Sequence, residues 1–162
     1  MSETLSLVAK MLTDKSLTIA FAESATAGRL SADFSMLEDA GKFLKGGIAC
    51  YDACIKEDLL GVEKALIEKH TPESMEVTRA IAEGLIQVIH SDIHIGITGL
   101  TTPGGSETAE KPVGTMFFYA FLKGKPFFSH REVFTGGPAE IVRATVDRCA
   151  ALLKEHLLKI KS

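Results

Sequence analysis

Three short apolar runs, each ending in a turn of small or polar residues, constrain the fold of this chain more than any other feature of its sequence. The runs cover residues 17–22, 46–51 and 93–98, and segments with the spacing of amphipathic helices lie before and between them. Strands that alternate with helices pair in parallel through crossover connections. The sequence therefore predicts an α/β fold with a group of parallel strands.

The second half of the chain adds a predicted hairpin and a long helix. Residues 113–122 and 127–134 read as strands joined at Gly124, and residues 142–160 carry a continuous helical stripe. Asp52 and Gly61 suit the two ends of a short helix, and Thr71 followed by Pro72 indicates the start of the next one. With 162 residues, 46% of them hydrophobic, the chain can bury a sizeable core. We predict a single three-layer α/β/α domain, residues 1–162, with a mixed, mostly parallel sheet.

Charge, hydropathy and cysteine usage argue against several classes of function. The formal net charge is −3 without a block of Lys and Arg, which is not typical of a nucleic-acid-binding protein. No apolar run approaches the ~18 residues of a membrane span, and the N-terminal residues lack a signal-peptide pattern. Three cysteines without disulfide or zinc spacing and five scattered histidines predict reduced thiols, no metal site and a cytoplasmic protein.

Polar turns follow the three predicted parallel strands, at residues 23–28, 51–56 and 99–105. Because the carboxyl ends of parallel strands meet at one rim of the sheet, we expect these turns to lie close together. Ligands of open α/β sheets bind at this rim. The three turns are therefore the predicted functional site.

The first two turns offer the parts of a serine hydrolase. Ser24 stands near the start of a predicted helix, where backbone N–H groups can receive an oxyanion. Serine needs a base, and Lys56 can supply it if burial lowers its pKa; Tyr51 lies nearby in the sequence. Spacing alone favours the alternative, in which Ser24 or Thr26 caps the helix and Lys56 is a solvated surface residue.

The third turn is rich in glycine and threonine. Gly99, Gly104 and Gly105 allow backbone conformations that are closed to other residues, and their N–H groups can form an anion site for a phosphate. Hydroxyl groups of Thr98, Thr101 and Thr102 lie in the same turn. The turn lacks the P-loop sequence, and the alternative is an ordinary flexible connection.

Four motifs resemble those of a known family, the C-terminal domain of the competence/damage-inducible protein CinA. "AESATAG" at residues 22–28 resembles the family's "AESCTGG", and "GGIACYDACIKEDLLGV" at 46–62 resembles "GGVVAYSNEAKRDLLGV". "ITGLTTPGGSETAEKPVGT" at 97–115 resembles "VTGIAGPGGGTPEKPVGT", and "FTGGPAEIVRATV" at 134–146 resembles "FPGDREAIRRATV". The likeness runs from about residue 5 to 158, and from it we expect the stand-alone type, without the usual N-terminal partner domain.

The resemblance implies a nicotinamide-nucleotide amidase, which hydrolyses nicotinamide mononucleotide to nicotinic acid mononucleotide and ammonia. It implies the same three-layer fold and no metal or redox cofactor. Its catalytic residues fall on Ser24 as the nucleophile, Lys56 as the base, and Tyr51 as a residue that orients the lysine or relays its proton. Together with the glycine-rich turn, the motifs give these predicted substrate-binding residues: Glu23, Thr26, Thr98, Gly99, Thr101, Thr102, Gly104 and Gly105.

The chain departs from the family pattern around these residues. Ala25 and Ala27 replace a cysteine and a glycine, residues 52–55 read "DACI" for "SNEA", and Thr101 and Thr102 replace alanine and glycine. Gly137 and Pro138 stand where the family has an acid and an arginine. The second hypothesis is therefore a catalytically degenerate paralogue that binds a nucleotide or a protein without turnover.

The predicted hairpin carries more large apolar side chains than a small core obviously needs. These are Met116, Phe117, Phe118, Tyr119, Phe121, Phe127 and Phe128. Exposed apolar patches of this kind mark interfaces, and the family resemblance implies a homodimer. The alternative is that helices cover both faces of the hairpin.

Overall fold

The computed structural model describes residues 2–161, in which seven helices and five strands follow one another. In chain order they are α1 (Glu3–Asp14), β1 (Ile19–Glu23), α2 (Arg29–Ser35), α3 (Ala40–Phe43), β2 (Leu44–Ala49), α4 (Ala53–Leu60), α5 (Lys64–His70), α6 (Met75–Val88), β3 (Ile93–Gly99), β4 (Thr115–Leu122), β5 (Lys125–Val133) and α7 (Pro138–Leu158).

The five strands form one mixed sheet in the order β2-β1-β3-β4-β5. β1 pairs in parallel with β2 and with β3, while β3, β4 and β5 pair antiparallel. The predicted α/β fold, with parallel strands at its core and an antiparallel hairpin beside them, is confirmed. The carboxyl ends of β1, β2 and β3 consequently meet at one rim.

Two hydrophobic cores lie on opposite faces of the sheet. Side chains of α1, α2, α3 and α7 pack on one face, and side chains of α4, α5 and α6 pack on the other. The central strand β1 is buried on both faces: Ile19 and Phe21 join the first core, and Ala20 and Ala22 join the second. A strand enclosed in this way holds the turn that follows it in a fixed position.

The second core depends on a close approach between α6 and the sheet. A Cβ atom placed on Gly96 of β3 would lie 2.4 Å from the carbonyl oxygen of Thr78 in α6. Only glycine therefore fits at this position without a shift of the helix.

The predicted helix start at Thr71 and Pro72 is wrong. Thr71 instead follows the end of α5 with a φ of 71°, and α6 begins after Ser74, whose hydroxyl accepts a hydrogen bond from the Val77 N–H. A threonine with a positive φ cannot continue a helix, so the chain turns there before α6 starts. The short helices α3 and α5 were not predicted as separate elements.

The apolar hairpin is covered rather than exposed. Five of the seven residues are buried in the chain itself, namely Met116, Phe117, Phe118, Phe121 and Phe128, and Tyr119 and Phe127 are half-buried. The alternative that helices cover the hairpin is therefore correct, and the large side chains of the hairpin do not form an exposed dimer patch.

Between residues 2 and 161, no helix combines the length and the apolar character needed to cross a membrane.

Candidate active site

The turn after β1 presents Ser24 without using its side chain as a helix cap. The Ser24 N–H donates to the Ile97 carbonyl at 2.9 Å, and the Ala27 N–H donates to the Ser24 carbonyl at 3.0 Å. Helix α2 has Gly28 as its N-cap, with no side chain bonded to its first turn from that position. The alternative in which Ser24 or Thr26 caps α2 is therefore wrong; the Thr26 hydroxyl is buried and has no partner among residues 2–161.

Glu23 performs the task that a capping residue would otherwise have. Its carboxylate is 0% exposed and accepts hydrogen bonds from the N–H groups of Leu30 and Ser31 and from the Ser31 hydroxyl, at 2.8–2.9 Å. A buried carboxylate at the start of a helix is stabilised by these donors and by the helix dipole. The Glu23 carboxylate therefore stabilises the start of α2. It does not line the cavity, so it is not placed for the predicted contact with substrate.

Lys56 is the most deeply buried lysine side chain at the rim. It lies on α4, is 1% exposed, and its Nζ contacts the Cys50 carbonyl at 2.7 Å, the Ser24 Oγ at 3.0 Å and the Tyr51 carbonyl at 3.4 Å. The helix that carries it begins at Asp52, whose carboxylate accepts from the Cys54 N–H at 2.9 Å. The predicted N-cap of α4 is observed, and Lys56 on this helix is buried. The alternative in which Lys56 is a solvated surface residue is therefore wrong.

Burial lowers the pKa of Lys56 below its ordinary value, because the ammonium loses its hydration. The Cys50 thiol and the carboxylates of Glu73 and Asp52 oppose this shift in part. In its neutral form the amine has two N–H donors and one lone pair. Donation to the carbonyls of Cys50 and Tyr51 would then leave the lone pair for the hydroxyl proton of Ser24, an arrangement that suits a nucleophile and its base.

Tyr51 takes part in a different way from the one predicted. Its main-chain carbonyl contacts the lysine, while its side chain is 65% exposed and its phenol makes no hydrogen bond within the described part of the chain. The main chain of Tyr51 therefore helps to orient Lys56. Tyr51 also lines the neighbouring cavity.

A cavity of about 190 Å³ opens beside Ser24. Its walls come from the turns after β1, β2 and β3 and from the loop before α6, so the predicted convergence of the turns is observed. The lining residues are Ser24, Ala25, Tyr51, Glu73, Gly99, Leu100, Thr101, Thr102, Pro103, Gly104 and Gly105. Thr98 is absent from these walls: it is buried, and its hydroxyl bonds to the Thr78 hydroxyl at 2.8 Å.

The glycine-rich turn holds an anion that the chain itself supplies. The Glu107 carboxylate accepts hydrogen bonds from the Gly104 N–H at 2.7 Å and the Gly105 N–H at 2.8 Å. These donors lower the pKa of Glu107, because they favour its charged form. The two amides thus bind an internal carboxylate, and the predicted phosphate site at this turn stays a prediction.

Sequence reasoning did not identify Glu73, Ser106 and Lys111, which join the loop before α6 to the glycine-rich turn. Ser106 donates to the Glu73 carboxylate, and the Lys111 ammonium donates to the Glu73 carbonyl and to the Ser106 hydroxyl, both at 2.8 Å. Lys111 also reaches the Thr71 hydroxyl at 2.7 Å. Lys111 could have been identified from its place in the "EKPVGT" motif. Nothing in the local sequence distinguishes Glu73 as a residue of the site. Across residues 2–161 no group of three or more His, Cys, Asp or Glu side chains is arranged to hold a metal ion.

Comparison with known proteins gives one consistent result. The model of the CinA C-terminal domain matches residues 2–157. A CinA-like protein of Dictyoglomus thermophilum is 36% identical over 155 residues, which are 95% of this chain and 37% of that protein. A CinA-like protein of Mycobacterium tuberculosis is 43% identical over 116 residues, 72% of this chain and 26% of that protein. The chain thus spans about a third of the length of the curated relatives it matches.

Solved structures show the same fold over nearly the whole chain. The competence damage-inducible protein A of Klebsiella pneumoniae superposes with a TM-score of 0.92 at 26% identity, covering 98% of both chains. A CinA superfamily protein of Escherichia coli superposes with a TM-score of 0.87 at 28% identity, covering 94% of this chain and 87% of the other.

Proposed function

The chain belongs to the CinA C-terminal domain family, and we propose that it is an amidohydrolase that converts nicotinamide mononucleotide to nicotinic acid mononucleotide and ammonia. One observation carries the proposed chemistry. The buried Lys56 Nζ lies 3.0 Å from the Ser24 Oγ, and Ser24 lines the cavity at the sheet rim. The choice of substrate comes from the family resemblance of the motifs that form this site.

Acylation would use the two side chains in sequence. Neutral Lys56 takes the Ser24 hydroxyl proton as the Oγ attacks the carboxamide carbon. Lys56 then passes that proton to the amide nitrogen, the C–N bond breaks, and ammonia leaves from an acyl-serine ester. Water next gives a proton to Lys56 and attacks the ester, the proton returns to Ser24, and the carboxylic acid is released.

Backbone donors for the oxyanion are available in the Ser24 turn. The Ala27 N–H is committed to the Ser24 carbonyl, but the N–H groups of Ala25 and Thr26 have no acceptor among the described residues. Ala25 also lines the cavity. We therefore assign the oxyanion to the amides of Ala25 and Thr26, and loss of one such donor typically costs about 3 kcal/mol of barrier.

The remaining walls would bind the rest of the nucleotide. Binding cavities for molecules of this size usually measure about 300–1,000 Å³, which exceeds the 190 Å³ present. The half-buried Glu107 side chain accepts hydrogen bonds from the amides of Gly104 and Gly105. We propose that the substrate phosphate replaces this carboxylate, and that Thr101, Thr102 and Gly99 contact the nucleotide beside it.

Ammonia release from nicotinamide mononucleotide tests the proposal directly. Wild-type protein should release ammonia, while Ser24→Ala and Lys56→Met should not. The second candidate, a paralogue that binds a nucleotide or protein without turnover, is favoured by the carboxylate that already fills the anion site. Wild-type protein that binds the nucleotide by calorimetry but releases no ammonia from any pyridine-nucleotide amide would establish that candidate instead.

We also propose that the protein is cytoplasmic and forms a homodimer. The three cysteines are free thiols, which agrees with a cytoplasmic protein that acts on a cytoplasmic metabolite. The homodimer implied by the family resemblance stays a prediction, and its interface must lie away from the buried side chains of the hairpin. Light scattering at high protein concentration tests it, since a mass of 17.4 kDa alone would exclude a stable dimer.

A further inference from the structure

Glu73 supplies the only carboxylate among the described residues that line the cavity beside Ser24. It precedes the cap of α6 and reaches the rim from the layer of helices on the second face of the sheet. None of the reaction steps assigned to Ser24 and Lys56 uses it. A charged side chain on the wall of so small a cavity therefore needs a separate explanation.

The carboxylate is held in place on one side and free on the other. Its Oε2 accepts the Ser106 hydroxyl, and Lys111 fixes both the Ser106 hydroxyl and the Glu73 carbonyl. Oε1 has no hydrogen-bond partner within residues 2–161. Lys111 lies within electrostatic reach but donates its hydrogen bonds to oxygens other than the carboxylate, so the negative charge is not paired directly.

The negative charge also reaches the reacting groups. The Glu73 carboxylate is close enough to oppose the loss of charge at Lys56, whose Nζ contacts Ser24. Because Ser24 and Glu73 line the same cavity, an amide carbon placed at the Ser24 Oγ brings its ring into the cavity that Glu73 lines. A ring with a positive charge gains from that field, while a neutral ring of the same shape does not.

We propose that Glu73 is a specificity-determining residue that selects an amide attached to a cationic ring, the pyridinium, over the same amide on a neutral ring. The proposal rests on the proposed amidase function and deepens it. In this role the free Oε1 would interact with the ring charge, while Oε2 stays bonded to the Ser106 hydroxyl, which Lys111 also contacts.

Binding of two nucleotides to a protein without turnover separates this role from catalysis. Calorimetry would compare nicotinamide mononucleotide with its reduced dihydropyridine form, which keeps the ribose, phosphate and carboxamide but has an uncharged ring. The proteins would be Ser24→Ala and Ser24→Ala/Glu73→Gln. The glutamine side chain has the same length as glutamate and keeps an oxygen that accepts the Ser106 hydroxyl, so the loop contact is conserved while the charge is lost.

We expect Glu73→Gln to weaken binding of the oxidised nucleotide roughly tenfold and to change binding of the reduced nucleotide less than about twofold. Glu110→Gln in the Ser24→Ala protein is the matched control, since Glu110 is exposed on the same loop as Ser106 and does not line the cavity. It should leave both affinities unchanged.

Equal losses for the two nucleotides, or no loss for either, would overturn the role of Glu73 while leaving the amidase proposal standing. If Ser24→Ala bound neither nucleotide, the proposed substrate and this inference would both be wrong. A loss confined to the reduced form would contradict the sign of the interaction.

Discussion

Replacing Lys56 with methionine tests whether the buried amine is the base. Methionine has nearly the same length and no charge, so it can fill the space of a side chain that is 1% exposed. The Ser24 hydroxyl, now 3.0 Å from an amine, would lose its proton acceptor. General base catalysis contributes about 10²- to 10⁴-fold, and we expect a fall in kcat of at least that size.

The effect on stability should be small at neutral pH. Lys56→Met removes the hydrogen bonds to the carbonyls of Cys50 and Tyr51, which cost about 1 kcal/mol each when lost. It also removes the cost of burying an amine. The free energy of unfolding should therefore change by less than about 2 kcal/mol, because the two effects oppose one another.

The pH dependence distinguishes a neutral buried lysine from a charged one. The folded pKa of Lys56 is lowered from 10.5, so between the two pKa values the unfolded chain holds a proton that the folded chain lacks. The free energy of unfolding of the wild type should rise with pH in that window relative to Lys56→Met. The kcat/KM of the wild type should rise over the lower part of the same range, since the neutral amine is the active form.

Ammonia release and urea unfolding at several pH values supply both readouts. Lys56→Arg is the matched control, because it keeps a cation that cannot lose its proton in this range. A folded Lys56→Met protein with a kcat within tenfold of the wild type would refute the assignment of the base. A pH profile of the wild type that rises only near 10.5 would refute the effect of burial.

Other substitutions test single contacts. Glu107→Gln should lower KM for nicotinamide mononucleotide several-fold but leave KM for the unphosphorylated riboside unchanged, because only the phosphate competes for the amides; equal changes would contradict this. Glu23→Ala should lower the free energy of unfolding by about 3 kcal/mol in urea, since buried donors of Leu30 and Ser31 lose their acceptor. Ala27→Gly should stabilise the protein by about 1 kcal/mol, because Ala27 has a φ of 49°; a loss of stability would show that the turn gains nothing from glycine.

The parts of the fold that follow from local chemistry were predictable from the sequence. Asp52 and Gly61 were expected at the two ends of α4, and they are its N-cap and C-cap. The strand β1 followed from its uninterrupted apolar run. The pair Thr71-Pro72 predicted a helix start wrongly, because a threonine followed by proline does not fix the backbone conformation of the threonine. Thr71 has a positive φ and ends α5 instead.

The site was predictable where its residues follow parallel strands and not where they lie in loops that meet through tertiary contacts. Ser24 and Lys56 follow strands that pair in parallel, so topology alone brings them to one rim. Glu23 stands beside Ser24 in the sequence, yet its carboxylate accepts hydrogen bonds from the amides of Leu30 and Ser31 in α2. Glu73 reaches the cavity through contacts with Ser106 and Lys111, which are more than thirty positions away along the chain.

Apart from Ala27, the departures from the family motifs fall into two groups once they are placed in the fold. Residues 52–55 form the start of α4, where Asp52 supplies the N-cap that holds the helix of Lys56. Gly137 and Pro138 begin α7, where the Glu140 side chain accepts from the Gly137 N–H, and neither residue lines the cavity. These changes preserve helix starts and leave the Ser24–Lys56 contact intact.

Ala25, Thr101 and Thr102 form the second group, because all three line the cavity. Two added hydroxyl groups beside the anion site alter what can bind there, whereas the reacting pair is held by the sheet and by buried contacts on its other side. Under the proposed function, substrate choice and chemistry would thus be carried by different parts of the rim. The departures would then bear on which ligand enters the cavity, while the contact between Lys56 and Ser24 is preserved.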